Sequence, residues 1–132
     1  MSAMLIDTDV LIDFLRGLEN AKNFIANLPE QAYISAITVA ELHVGVRNGK
    51  ERATLTEFLD TLETIALDAE LAAEGGLLRR DYGKSHGIGL NDALIAATAL
   101  KKRLQLVTLN GKHYPMVKNV LAPYQKSQEA VG

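Results

Sequence analysis

A chain of 132 residues, 48% hydrophobic and 23% charged, has the length and composition of one globular, soluble domain with its own core. It has no cysteine, which excludes a disulfide framework and thiolate zinc sites, and no apolar run approaches the roughly 18 residues needed to cross a bilayer. A formal net charge of −2 argues against a broad basic surface for nucleic acid but leaves room for a local patch.

Nothing basic precedes Arg16, and Asp7, Asp9 and Asp13 interrupt the first apolar stretch. The N-terminus therefore does not read as a signal peptide, and a cytoplasmic protein is expected. In chain order, AMLI reads as a short buried strand running straight into TDVLIDFLRG, a helix ending near Gly17. A second helix carries Leu18, Ala21, Ile25 and Leu28 on one side, with Pro29 beyond its end. AYIS is the second strand, and AITVAELHVGVRNG a helix closed by Asn48-Gly49. Residues 51–63 predict an amphipathic helix with Leu55, Phe58, Leu59 and Leu62 inward, followed by TIAL as the third strand. From Glu70 to His86 the pattern is helical with Leu71, Gly75, Leu78 and Tyr82 inward, although Gly75 and Gly76 each weaken it by roughly 1 kcal/mol. GIGL is a loop, NDALIAATALKKR a helix and LQLVT the fourth strand. A turn around Gly111 leads to NVLAPY, a fifth strand. Residues 1–125 thus form a single domain and 126–132 a frayed tail.

Short apolar strands alternating with helices predict an α/β domain: a three-layer α/β/α sandwich around a short-stranded parallel sheet. Ligands of such sheets collect at the carboxyl ends of the strands, where strand order reverses. Asp7, Ser35 and Thr108 each follow a strand at that end. Two further acids stand out. Glu41 shares a helix face with Ile37 and Val44, and no Lys or Arg lies within a turn of it. Asp92 shares its face with Ile95, Ala96 and Ala99. A carboxylate on an apolar stripe is costly unless it is paired or bound to a cation. Each acid also has an ordinary reading: Asp7 or Asp9 as a helix cap, Asn91 as a cap with Asp92 complementing the helix dipole. Jointly, three separate segments aim carboxylates at one edge of the sheet. At roughly 4 Å and an effective dielectric of about 20, each like-charged pair costs about 4 kcal/mol, so either pKa values rise or a cation sits among them. Oxygen ligands without cysteine favour Mg²⁺ or Mn²⁺. The three histidines, His43, His86 and His113, show no metal-ligand spacing.

The runs LIDTDVLI, ISAITVAEL followed by VG, LNDALIAATAL and LVTLNGKHY resemble the PIN-domain ribonucleases, in particular the VapC-type toxins of bacterial toxin–antitoxin pairs. The likeness spans almost the whole chain, in order. It implies a Mg²⁺- or Mn²⁺-dependent endoribonuclease that hydrolyses RNA phosphodiester bonds with a metal-activated water, leaving 5′-phosphate and 3′-hydroxyl ends. Carried over residue by residue, Asp7, Glu41 and Asp92 are the acidic metal ligands, and Thr8 and Thr108 the family's hydroxyls. Many members hold a further acid after the fourth strand; here Asn110 and His113 are neutral. Asn110 stands as a catalytic candidate, offering one oxygen or orienting a water. Asp9 takes a capping or supporting role, and Asp13 is expected to be solvated or paired with Arg16. Candidate RNA-contacting cations are Arg16, Arg47, Lys50, Arg52, Arg79, Arg80 and Lys84. The resemblance also implies a homodimer and a cognate antitoxin protein whose C-terminal segment blocks the acidic pocket, with the helices at 18–28 and 51–63 as candidate docking surfaces. No membrane association is expected.

Rival readings come from other classes. DTDV also looks like the start of a haloacid-dehalogenase-type phosphatase, with Asp7 as nucleophile, Asp9 as proton donor and Thr108 touching phosphate; that reading leaves Glu41 unexplained. A receiver-like module would want a phosphorylatable aspartate after the third strand, where Asp68 stands, and a later lysine, for which Lys126 is poorly placed. A degenerate nuclease that only binds RNA is the third.

Overall fold

Parallel strands form the centre of the molecule: β1 (Met4–Ile6), β2 (Ala32–Ser35), β3 (Glu63–Ile65), β4 (Gln105–Val107) and β5 (Val120–Leu121), in the order β3-β2-β1-β4-β5. The computed structural model describes residues 3–28 and 32–125; Pro29, the expected frayed tail and Lys126 lie outside them. Six helices surround the sheet among the described residues: α1 (Thr8–Leu15), α2 (Glu19–Ala26), α3 (Ala36–Val44), α4 (Lys50–Leu59), α5 (Ala69–His86) and α6 (Leu90–Lys102). No helix is long and apolar enough to cross a membrane among the described residues.

Strand alternation divides the core in two. Leu5 and Leu106, register partners on β1 and β4, face the layer of α5 and α6 together with Ala93, Ala96 and Ala99. Their neighbours Ile6 and Val107, also partners, turn to the other layer with Ile34, Val10, Leu11, Leu42, Leu55 and Leu59. The expected three layers are therefore present, with strands buried on both faces. Strand order reverses at β1: β2 and β3 lie to one side, β4 and β5 to the other. Beyond the last paired residues the backbone stays joined, the Asp7 amide donating to the Val107 carbonyl at 2.8 Å. That crevice is where this topology places ligands.

Several boundaries differ from the sequence pattern. The third helix ends at Val44 instead of running to Asn48-Gly49, because Val46 turns back onto the core and the chain reverses at Gly49, whose φ of +90° suits glycine. Helix α4 stops at Leu59, where successive turn bonds, Thr61 N to Phe58 O and Leu62 N to Leu59 O, tighten its end. The third strand then begins at Glu63, recruited by pairing with Tyr33. The fifth strand is shorter than NVLAPY because Pro123 has no amide hydrogen for the ladder.

Helices α5 and α6 pack antiparallel. Lys101 reaches Glu70 at 2.6 Å, while Gly75 lies so close to Leu94 that a Cβ there would stand 2.4 Å from Leu94 Cδ2 and 3.0 Å from its Cα. With that register, the residues of α5 from Arg79 on reach and run past the N-terminal end of α6, on the side of Asp92.

Candidate active site at the ends of β1 and β4

The chain leaves β1 at Asp7, which remains extended (φ −71°, ψ 156°) and caps α1 by accepting from the Thr8 amide at 2.8 Å. Of the two cap candidates, Asp7 is the one used. Its other oxygen, Oδ2, accepts from the Thr108 hydroxyl at 2.8 Å and from the Tyr114 hydroxyl at 3.0 Å. The residue is only 5% exposed. Burial, then the charge of Asp9 and more weakly that of Asp92, push its pKa up from the ordinary carboxylate value to about 7 against the opposing hydrogen bonds from Thr108 and Thr8. Tyr114 is pushed up as well, by burial first and then by Asp7 and Asp92, so it stays a neutral donor.

Asp9 supports this cluster as expected of it. Its Oδ2 accepts from the Leu109 amide at 3.1 Å and lies 3.4 Å from the Thr108 hydroxyl, tying α1 to the chain leaving β4. Glu41 is reached through Thr8, whose hydroxyl stands 2.6 Å from Glu41 Oε1 and 2.9 Å from Thr38 Oγ1; with one proton it can donate to only one of them. Asn91 donates to Glu41 Oε2 at 3.2 Å. Asp92 is half-buried, close enough to Asp7 and Tyr114 to act on both, with His113 Nδ1 3.5 Å from its Oδ2. That nitrogen is nearer to Asn110 Nδ2, at 3.0 Å, and a neutral ring accepting from Asn110 cannot also donate from Nδ1 to Asp92. Asn110 is exposed; its amide donates to the Thr108 hydroxyl at 3.1 Å.

The fold thus gathers Asp7, Asp9, Thr108 and Asn110 at one strand end, with Asp92 beside them and Glu41 linked through Thr8. Among the described residues, no three His, Asp or Glu side chains form a ready metal cage. Neutral hydroxyls stand between the acids instead. The donor set still suits a hard divalent ion: carboxylate oxygens, mutual repulsion that a cation would relieve, and the modest number of protein ligands that Mg²⁺ usually takes.

Some sequence readings are corrected here. Glu41 is not on a buried stripe, since Val44 one turn on is 87% exposed and α3 ends there; it sits at the rim. Asn91 is not a cap, because Gly89 precedes the first helical residue Leu90. Asp13 is buried, not solvated, and accepts from the Tyr124 hydroxyl at 2.9 Å. The rivals lose their parts: Asp9 is engaged by the Leu109 amide, and Asp68 caps α5 through the Leu71 amide at 2.8 Å. His43 bonds the Val39 carbonyl of its own helix, and His86 sits by Ser85. Sequence reading missed Thr38 and Tyr114. Thr38 lies on the Glu41 side of α3, three residues earlier, a signal that was available. For Tyr114 the signal was fainter: a buried tyrosine hydroxyl needs a partner.

Comparison with known proteins bears on this arrangement. The PIN domain family matches residues 4–118. Ribonuclease VapC10 of Mycobacterium tuberculosis is 37% identical over 124 residues, covering 92% of each chain. Ribonuclease VapC19 of the same organism is 38% identical over 124 residues, covering 91% of this chain and 98% of its own. A toxin–antitoxin complex from Klebsiella pneumoniae contains a chain that superposes with a TM-score of 0.80 at 32% identity, covering 93% of this chain and 99% of that one. On sequence and fold alike, the chain belongs to the PIN-domain family, within which it groups with the VapC-type ribonucleases.

Proposed function

We propose that this chain is the toxin of a toxin–antitoxin pair, an endoribonuclease that hydrolyses RNA phosphodiester bonds with Mg²⁺ or Mn²⁺ held by Asp7, Glu41 and Asp92. The observation carrying this reading is Asp7 itself: a buried carboxylate at the switch point of the sheet, its pKa raised to about 7 by burial, Asp9 and Asp92. The hydrogen bonds from Thr8, Thr108 and Tyr114 offset that cost only in part, and a cation beside the carboxylate would offset the rest. When bound, the ion would offset charge on the scissile phosphate and activate a water. The protein's own residues do the rest. Thr108 and Tyr114 hold Asp7 in one rotamer, Thr8 and Asn91 hold Glu41, and Asn110 presents a polar group at the open edge of the site. The chain after β4 contributes the neutral Asn110 and His113 where the family resemblance implies a further acid, which favours one tightly held ion over two.

An antitoxin partner is supported by the complexes in which the structural relatives are found, the Klebsiella pneumoniae assembly and a second from Neisseria gonorrhoeae among them. A cleft of about 610 Å³ between α1, α3 and α4 is lined by Ile12, Leu15, Leu42, Val46 and Leu55 and has Glu41 on its rim. An apolar antitoxin segment lying there would bring a basic side chain to the acids, in place of the metal's charge. Homodimerisation and a cytoplasmic location belong to the same proposal.

The purified protein is expected to cleave single-stranded RNA with Mn²⁺ or Mg²⁺, to stop on addition of a chelator, and to lose cleavage at least a hundredfold in Asp7→Asn or Asp92→Asn. Gel-resolved RNA cleavage measures this. Full cleavage by both folded variants, or by the chelated wild type, would falsify the assignment.

A further inference from the structure

Tyr114 heads the wholly buried side chains in volume, and its ring packs into the α5–α6 side of the core with Leu5, Ile88 and Ala93. A phenylalanine would fill that space equally well. The hydroxyl is the exception: it points out of the core and donates to Asp7 Oδ2 at 3.0 Å. Thr108 donates to the same oxygen at 2.8 Å, so its two usual lone pairs are occupied, while Oδ1 accepts from the Thr8 amide. Three donors, one at the start of α1 and two from the chain after β4, therefore fix both the rotamer and the plane of this carboxylate, and the Tyr114 hydroxyl also feels Asp92. The tyrosine arrives by way of the 3-10 turn at Gly111–His113, which folds the chain after β4 back across the site.

We propose that Tyr114 is a positioning residue for the metal site: its hydroxyl holds Asp7 oriented toward a divalent cation shared with Asp92. This rests on the metal-binding reading above. Hydrogen-bond partners of ligating carboxylates commonly change metal affinity 10–100-fold when removed. A residue serving the core alone would not.

The test is isothermal titration of Mn²⁺ into RNA-free wild type, Tyr114→Phe and Asp7→Asn, alongside thermal unfolding in chelator. Tyr114→Phe is expected to weaken Mn²⁺ binding at least fivefold, and to raise the Mn²⁺ concentration for half-maximal cleavage to match while leaving KM for RNA unchanged. A smaller loss of affinity overturns the proposal, whatever the variant's melting temperature. Wild type that binds no Mn²⁺ at all overturns it too, and then the metal site itself has failed; binding that is lost in Asp7→Asn but intact in Tyr114→Phe removes only the role of Tyr114. A second measurement covers a variant that does not fold. The chain has four tyrosines and no tryptophan, so its near-UV tyrosine band is readable in the wild type. Mg²⁺ is expected to perturb that band as it binds; saturation without any change overturns the proposal.

Discussion

On the proposed metal-binding role, Asp7 ties function to stability with opposite signs. Its carboxyl has a pKa of about 7 in the folded, metal-free protein and an ordinary value of 3.8 when unfolded. Between those values the native state holds a proton that the unfolded chain has released. The contribution of Asp7 to stability is thus fullest below pH 4, declines as pH rises toward 7, and is lost above it. The gap of roughly three pH units corresponds to a ceiling of about 4 kcal/mol. Asparagine at this position keeps the shape and carries no charge. Asp7→Asn is therefore expected to abolish cleavage and yet to stabilise the metal-free protein at pH 8 by about 1–3 kcal/mol, with a flatter profile between pH 4 and 7. Urea unfolding in chelator across that range measures it, and a variant less stable than wild type at pH 8 would contradict the account. The position of Asp7 was legible in the sequence because a strand ending in an acid is a local pattern. Thr108 was legible in the same way, as the residue that follows β4, whereas Tyr114 was not, since it lies about a hundred residues away and meets Asp7 only once β4 pairs with β1 and the chain folds back.

Among the elements, α5 shows what a periodic pattern leaves out. The sequence placed Leu71, Gly75, Leu78 and Tyr82 inward, and all four are buried or half-buried. It also treated Gly75 and Gly76 as equal weak points, and they are not. Gly75 is where α6 comes nearest: a methyl there would meet the end of the Leu94 side chain, which can move, and its Cα, which cannot. Gly76 faces open space. Gly75→Ala is expected to destabilise by about 1–3 kcal/mol despite alanine's better helix propensity, because the two helices must separate. Gly76→Ala should stabilise by roughly 0.5–1 kcal/mol. Paired denaturant unfolding of the two variants decides it, and equal effects would mean that the helix–helix approach is looser than described. Helix ends were misread for a related reason. Periodicity continues through Asn48 and Leu62, and only tertiary events, Val46 returning to the core and Glu63 pairing with Tyr33, stop the helices earlier.

At the scale of the whole molecule, the proposed activity raises the question of how a chain of net charge −2 would hold RNA beside a cluster of acids. The sequence offered seven cations without ranking them, because ranking needs the register of α5 on α6. Arg47 and Arg80 are engaged with Glu51 and Asp81 in exposed pairs. Acidic Glu70 and Glu74 lie toward the Lys101 end of the helix pair, remote from Asp92, whereas Arg79, Arg80 and Lys84 lie on the stretch of α5 that overhangs the start of α6. The Arg79 guanidinium occupies the space a Cβ at Gly83 would take, which holds it against the helix. The charge separation along α5 thus leaves a net basic stretch at the Asp92 end of the helix pair, where the like-signed repulsion between RNA and the acids would be offset. Arg79→Glu and Lys84→Glu are each expected to raise KM for RNA about three- to tenfold with kcat little changed, and to lower the slope of log affinity against log salt by about one contact's worth. Lys50→Glu, on the α4 side of the sheet, should do neither. Cleavage kinetics at several salt concentrations separate these outcomes: equal losses in all three variants would indicate only a general charge effect, and losses in kcat alone would place the overhang in the chemistry and not in binding.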